Sequence, residues 1–162
     1  MKRVFIILFV FILFPYHLFA KSPFDQKKNQ ELVLPHIKIK ALPSKSVILP
    51  GEEFKFYISV ILDEGWHIYS NPAGESGYPT SIDWDIPKGV QISEPAFPKP
   101  ISYESDGTIS FVHNGNFILK SDLETTANAS FENDLIILKG TFSALVCSAE
   151  SCIPYDQDLR LE

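Results

Sequence analysis

Cys147 and Cys152 are the chain's two cysteines, set in the run Leu145-Val146-Cys147-Ser148-Ala149-Glu150-Ser151-Cys152-Ile153-Pro154. Two thiols so close in the chain can form and break one bond, and little else in the sequence offers chemistry. The spacing is not that of a thioredoxin site, since Ser148 to Ser151 replace the two residues of Cys-x-x-Cys and no helix N-terminus is evident to depress a thiol pKa. Glu150 between the thiols and Asp156 beyond them disfavour a thiolate. By residue type alone two readings stay open: a redox pair, or a structural disulfide of the kind common in exported chains.

Other chemistries find less support. His17, His36, His67 and His113 show no metal-ligand spacing, although the two thiols with His67 or His113 form a minor candidate for a soft cation such as Cu(I). No resident metal and no cofactor is expected. Gly-x-Ser-x-Gly, P-loop and dinucleotide fingerprints are absent from the sequence. Asn128-Ala129-Ser130 matches a glycosylation acceptor, a pattern short enough to arise by chance. The formal charge of −6 argues against nucleic acid or anionic lipid as partner.

The elements that must position the thiols begin with a compartment signal. Met1-Lys2-Arg3 is a basic start, Val4 to Phe14 is apolar, Pro15 breaks the run, and Ala20 offers a small residue for cleavage. Residues 1 to 20 read as a cleaved secretory signal peptide, too short in its apolar part to span a bilayer, which needs roughly 20 residues. Leu18 departs from the small-x-small cleavage pattern. Loss of Lys2 and Arg3 leaves the remainder more acidic still. Residues 21 to 30 (KSPFDQKKNQ) read as a flexible leader, and one soluble domain is expected over 31 to 162.

Within that domain the apolar pattern has period two. Phe54, Phe56, Ile58, Val60 and Leu62 alternate with polar neighbours, as do Ile136, Leu138, Phe142, Ala144 and Val146. These predict two long antiparallel strands with one buried face each. Shorter strands are expected at Leu32 to Leu42, Trp66 to Ser70, Thr80 to Ile86, Val90 to Ser93, Thr108 to Val112, Asn116 to Lys120 and Asp158 to Leu161. Turn residues stand between them at Pro50-Gly51, Pro87-Lys88-Gly89, Asp106-Gly107 and Asn114-Gly115. No helical stripe appears. The pattern predicts an all-β chain folded as an immunoglobulin-like antiparallel β-sandwich. In it a strand from Leu135 ends at Cys147, and both cysteines lie in the connection of the last hairpin. A disulfide closing so small a loop contributes only about 2 kcal/mol, little for a staple.

The ordered motifs Gly65-Trp66-His67-Ile68-Tyr69-Ser70-Asn71-Pro72, Gly77-Tyr78-Pro79-Thr80, Ile82-Asp83-Trp84 and Phe97-Pro98-Lys99-Pro100, followed by Ala144-Leu145-Val146-Cys147 and Cys152-Ile153-Pro154, resemble the N-terminal periplasmic domain of DsbD and its ScsB-type and stand-alone relatives. The resemblance covers nearly the whole chain after the signal segment. It implies a periplasmic, monomeric thiol-disulfide exchange protein, in which Cys152 forms the mixed disulfide with partners and Cys147 resolves it. Implied partners are thioredoxin-like or disulfide isomerase proteins of the periplasm and a membrane-embedded electron donor acting in trans. Phe97, in Glu94 to Lys99, is the positional match to the family's aromatic cap, an ordinary packing aromatic being the alternative. Tyr69 and His67 fall where the family places aromatic side chains near the redox pair. His67 is a candidate for assisting proton transfer, or else a surface or packing histidine. Trp66 and Trp84 read as core. Four residues lie between the cysteines where the membrane reductase has five. The alternative of another class is a non-catalytic exported binding module whose disulfide clips a hairpin.

Overall fold

Alternating side chains become ten antiparallel strands in the computed structural model, which describes residues 35–45, 49, 51–129 and 136–161. The signal segment, the leader, and the expected strand residues Leu32 and Leu135 lie outside the described residues. The strands are β1 (Ile37–Pro43), β2 (Glu53–Leu62), β3 (His67–Gly74), β4 (Ser81–Asp85), β5 (Val90–Ile92), β6 (Ile101–Ser105), β7 (Thr108–Asn114), β8 (Asn116–Thr125), β9 (Leu138–Cys147) and β10 (Cys152–Leu161). One sheet runs β1-β2-β8-β5 and the other β10-β9-β3-β7-β6, with β4 also paired to β9. The result is an all-β, immunoglobulin-like antiparallel sandwich. No helix among the described residues is long and apolar enough to cross a membrane.

The core forms where the alternation requires it. Phe54, Phe56, Ile58, Val60 and Leu62 of β2 point inward with Leu119 and Leu123 of β8, and meet Ile68, Leu138, Phe142, Ala144, Val146, Leu159 and Leu161 from the second sheet. Each large apolar side chain so buried contributes roughly 1.5–3 kcal/mol. Trp84 sets its ring edge-on to Phe56, with centroids 5.1 Å apart. It lies across β9 where Gly140 is its cross-strand partner. A Cβ on Gly140 would come within 2.6 Å of the indole, so only glycine admits this packing.

One edge of β9 serves two neighbours, and this arrangement brings β3 to the cysteines. Near its end β9 pairs with β3, as His67↔Cys147 and Ile68↔Val146. β3 then shifts register between Tyr69 and Gly74. Over the earlier part of β9, β4 takes its place, from Ser81↔Ser143 to Asp85↔Lys139.

Several strands differ from the sequence expectation. β6 was not anticipated, β3 continues to Gly74, β7 to Asn114 and β8 to Thr125, and β10 begins at Cys152 rather than Asp158. Pro154 lies inside β10. It is tolerated because β10 is the last strand of its sheet, where a residue without an N–H forfeits no ladder bond on the open side.

Candidate functional site

The β9–β10 hairpin turns through Ser148-Ala149-Glu150-Ser151. Ser148 closes it: its N–H donates to the Ser151 carbonyl at 2.8 Å. Its Oγ accepts from the N–H groups of Glu150 and Ser151 at 3.1 and 3.2 Å. Short hydroxyl side chains do this because the Oγ reaches the backbone two and three residues on. In an antiparallel ladder hydrogen-bonded and non-hydrogen-bonded pairs alternate, so the next pair, Cys147 with Cys152, is of the second, closer kind. Their Cα atoms are 4.1 Å apart and the sulfurs are joined in a disulfide. The hairpin itself therefore holds the two sulfurs in register. Cys152 is not in the connection, as the sequence suggested, but is the first residue of β10.

The two sulfurs see different surroundings. Cys147 is 1% exposed, whereas Cys152 is exposed. Burial of Cys147 follows from its place between two strands, with β10 on one side and β3 on the other. His67 of β3 is its direct cross-strand partner. The imidazole packs against Tyr103 of β6, with centroids 4.8 Å apart, and edge-on to Tyr69, at 5.7 Å. These three rings and both cysteines line one open cleft of about 360 Å³. Asp106 and Glu150 line it as well, both exposed.

His67 is buried, and its Nε2 has no hydrogen-bond partner among the described residues. Burial holds its pKa below the usual 6.5, because the charged imidazolium would lose its hydration. Tyr69 is fixed from behind. Its carbonyl accepts from Thr80 Oγ1 at 2.6 Å, and its ring lies against Gly77, whose φ is +92°. The segment holding Gly77 is tied to β7, where Glu75 accepts from the Ile109 N–H at 2.7 Å and the Ser76 and Ser110 hydroxyls lie 2.9 Å apart.

The structure thus brings Cys147, Cys152, His67 and Tyr69 together and sets Phe97 apart. Ala96 bridges to Lys120 of β8, its N–H donating to the Lys120 carbonyl at 2.7 Å. Phe97 next to it packs on the core and stacks with His113, centroids 5.6 Å apart. His113 sits opposite Ile68, one residue along from His67, and so faces the inside of the sandwich. There Phe97 is a packing aromatic and is not among the residues lining the cleft. Tyr103 of β6 lines the cleft beside His67. The signal for it was the Asp106-Gly107 turn, which implies a strand before it as well as after it. No group of three or more His, Cys, Asp or Glu residues able to hold a metal ion occurs among the described residues. Trp66 and Trp84 both pack against the core, and Trp66 also stacks on His36 at 3.9 Å.

Comparison with known proteins gives a consistent picture. The family model described as thiol:disulfide interchange protein DsbD, N-terminal, matches residues 38–162. The fold is similar to the N-terminal periplasmic domain of ScsB from Proteus mirabilis, with a TM-score of 0.59 and 21% identity, covering 79% of this chain and 47% of that one. The chain thus spans about half the length of that protein chain. The reduced form of the Neisseria meningitidis DsbD N-terminal domain matches with a TM-score of 0.48 and 15% identity, over 80% of this chain and 89% of that one. A complex between the DsbD and PilB N-terminal domains of the same species matches at 0.44 and 13%, over 74% and 80%. No curated protein sequence matches the chain.

Proposed function

Because this chain belongs to the DsbD N-terminal domain family, we propose that it is a periplasmic thiol-disulfide exchange protein whose redox pair is Cys147 and Cys152. The observation that carries the reading is the asymmetry of the pair: Cys152 is exposed and Cys147 is buried, and both line one cleft with His67, Tyr69 and Tyr103. A structural clip has no need of a cleft at one of its sulfurs.

The chemistry follows from that asymmetry. A partner thiolate attacks the exposed Cys152 sulfur, the Cys147–Cys152 bond breaks, and its electron pair and a proton go to Cys147. A second partner thiol then releases the incoming protein as a disulfide, leaving the pair reduced. In the forward delivery the Cys152 thiolate attacks a recipient disulfide, and Cys147 displaces the recipient's thiolate as the intramolecular bond re-forms. Thioredoxin-like or disulfide isomerase proteins of the periplasm are the proposed recipients, and a membrane-embedded protein the proposed donor. Cover over Cys147 slows exchange with random oxidants and leaves reaction to docked partners.

The test is trapping combined with a redox titration. Cys147→Ala is expected to accumulate mixed disulfides through Cys152, and Cys152→Ala to accumulate none. The pair should equilibrate with glutathione or dithiothreitol between about −180 and −270 mV, the range of exchange proteins. A potential below about −300 mV with no trapped species would instead leave a clipped hairpin in a binding module.

A further inference from the structure

We propose that Nε2 of His67 is the proton acceptor for Cys147 when that thiol resolves a mixed disulfide at Cys152. The proposal rests on the exchange reading above and adds to it the group that makes the buried thiol reactive.

Cys147 is 1% exposed, so its thiol has little water to which a proton can be lost. A thiol in such surroundings holds its proton more tightly than the usual value of about 8.5 allows, and only the thiolate attacks. His67 stands directly opposite on β3, where facing side chains lie on the same side of the sheet. Its Nε2 is buried and has no partner among the described residues, an arrangement uncommon for an imidazole nitrogen. The other buried side-chain nitrogen in that condition, Nε1 of Trp84, is a donor only and sits on β4, away from the cleft.

The groups that face this position from the neighbouring elements do not compete for the role. Tyr69 on β3 and Tyr103 on β6 meet the imidazole through their rings. Asp106 from the β6–β7 turn and Glu150 from the β9–β10 turn are exposed carboxylates on turns, neither of them on the strand position opposite Cys147. Asn114, opposite His67 on β7, does not titrate. Burial keeps His67 neutral near pH 7, which leaves an imidazole lone pair free to accept.

The step balances without an added reagent. His67 Nε2 takes the Cys147 proton, and the resulting thiolate attacks the Cys152 sulfur. The Cys147–Cys152 bond forms as the Cys152–partner bond breaks, the electron pair leaves on the partner sulfur, and the imidazolium returns its proton to that thiolate or to solvent. In the reverse direction the same nitrogen delivers a proton to Cys147 as it leaves.

Dithiobis-nitrobenzoate reports the two halves of the reaction separately. Reduced protein releases one coloured thiol when Cys152 attacks the reagent and a second when Cys147 resolves the adduct. In the wild type the second phase should rise with pH through an inflection below 6.5. In His67→Phe, which keeps a ring against Tyr69 and Tyr103, the second phase should slow about a hundredfold near pH 7 while the first changes little. His67→Gln serves as the second variant, and near-ultraviolet circular dichroism confirms that each is folded. Release of both thiols with the wild-type pH profile in either folded variant overturns the assignment of His67 alone, as does a wild-type second phase with no inflection below 6.5. Failure of the folded wild type to release either thiol overturns the exchange reading and this proposal together.

Discussion

Tyr103 and Phe97 are the two aromatic candidates for covering the redox pair, and they lie in different surroundings. Tyr103 is half-buried against His67 in the cleft, and Phe97 is half-buried against His113 and the core. Both rings are half-buried, yet the consequences of removing them should differ. Tyr103→Ala opens the approach to Cys147 and is expected to raise the rate at which reduced protein reacts with iodoacetamide at that thiol by about tenfold, since access joins thiolate character in setting the rate. Phe97→Ala should leave that rate unchanged and lower stability by roughly half of the ~3–5 kcal/mol that a fully buried phenylalanine costs. Alkylation rates and urea unfolding on the same two variants check both halves. A faster alkylation of Phe97→Ala with no gain for Tyr103→Ala would return the covering role to Phe97.

At the scale of strands and turns, what was legible depended on whether burial left a mark on the sequence. β2 and β9 bury one face each, and their alternation could be read almost residue by residue. β6 could not, because Ile101, Ser102, Glu104 and Ser105 are exposed and Tyr103 alone of its five residues is partly covered. The part of β10 before Asp158 holds Pro154, which suits only an edge strand, and the edge is supplied by the topology. The cysteine pair stood out by composition, and His67 and Tyr69 by a motif. Tyr103 reaches the site through the local β6–β7 hairpin, which docks on β3 by a non-local pairing. The turn that carries Gly77 makes a related point. Its φ of +92° suits glycine, and a side chain there would meet the ring of Tyr69. Gly77→Ala should therefore cost about 1–3 kcal/mol through backbone strain, before the displacement of Tyr69 is counted. Thermal unfolding should show a clear fall in midpoint, and a midpoint within error of wild type would mean that the Gly77 turn and Tyr69 do not support each other.

Across the whole molecule the redox pair and the core occupy different places. Ile68, Phe142 and Val146 bury between the sheets, while Cys147 and His67 take the alternate positions on the same strands and face the cleft. Opening a six-residue disulfide loop therefore removes only about 2 kcal/mol of denatured-state restraint and leaves the two-sheet core in place. What reaches the core electrostatically is a second histidine. His113 is 4% exposed, hydrogen-bonded to Ser70 Oγ at 3.0 Å, and packed between Phe97 and Phe117. Burial lowers the pKa of His113 and of His67 below 6.5. In the interval between those lowered native values and 6.5 the unfolded chain binds more protons than the folded one, so stability increases with pH there. The contribution of the neutral rings is complete above 6.5 and is lost as pH falls through the native values. Between about pH 7.5 and pH 5, before most carboxylates titrate, the unfolding midpoint should fall. His113→Phe, which keeps an aromatic ring in the Phe97–Phe117 stack, should flatten that decline without abolishing it, because His67 still titrates. A slope unchanged in His113→Phe would assign the whole effect to His67, and no slope at all would mean that neither ring resists protonation in the folded protein.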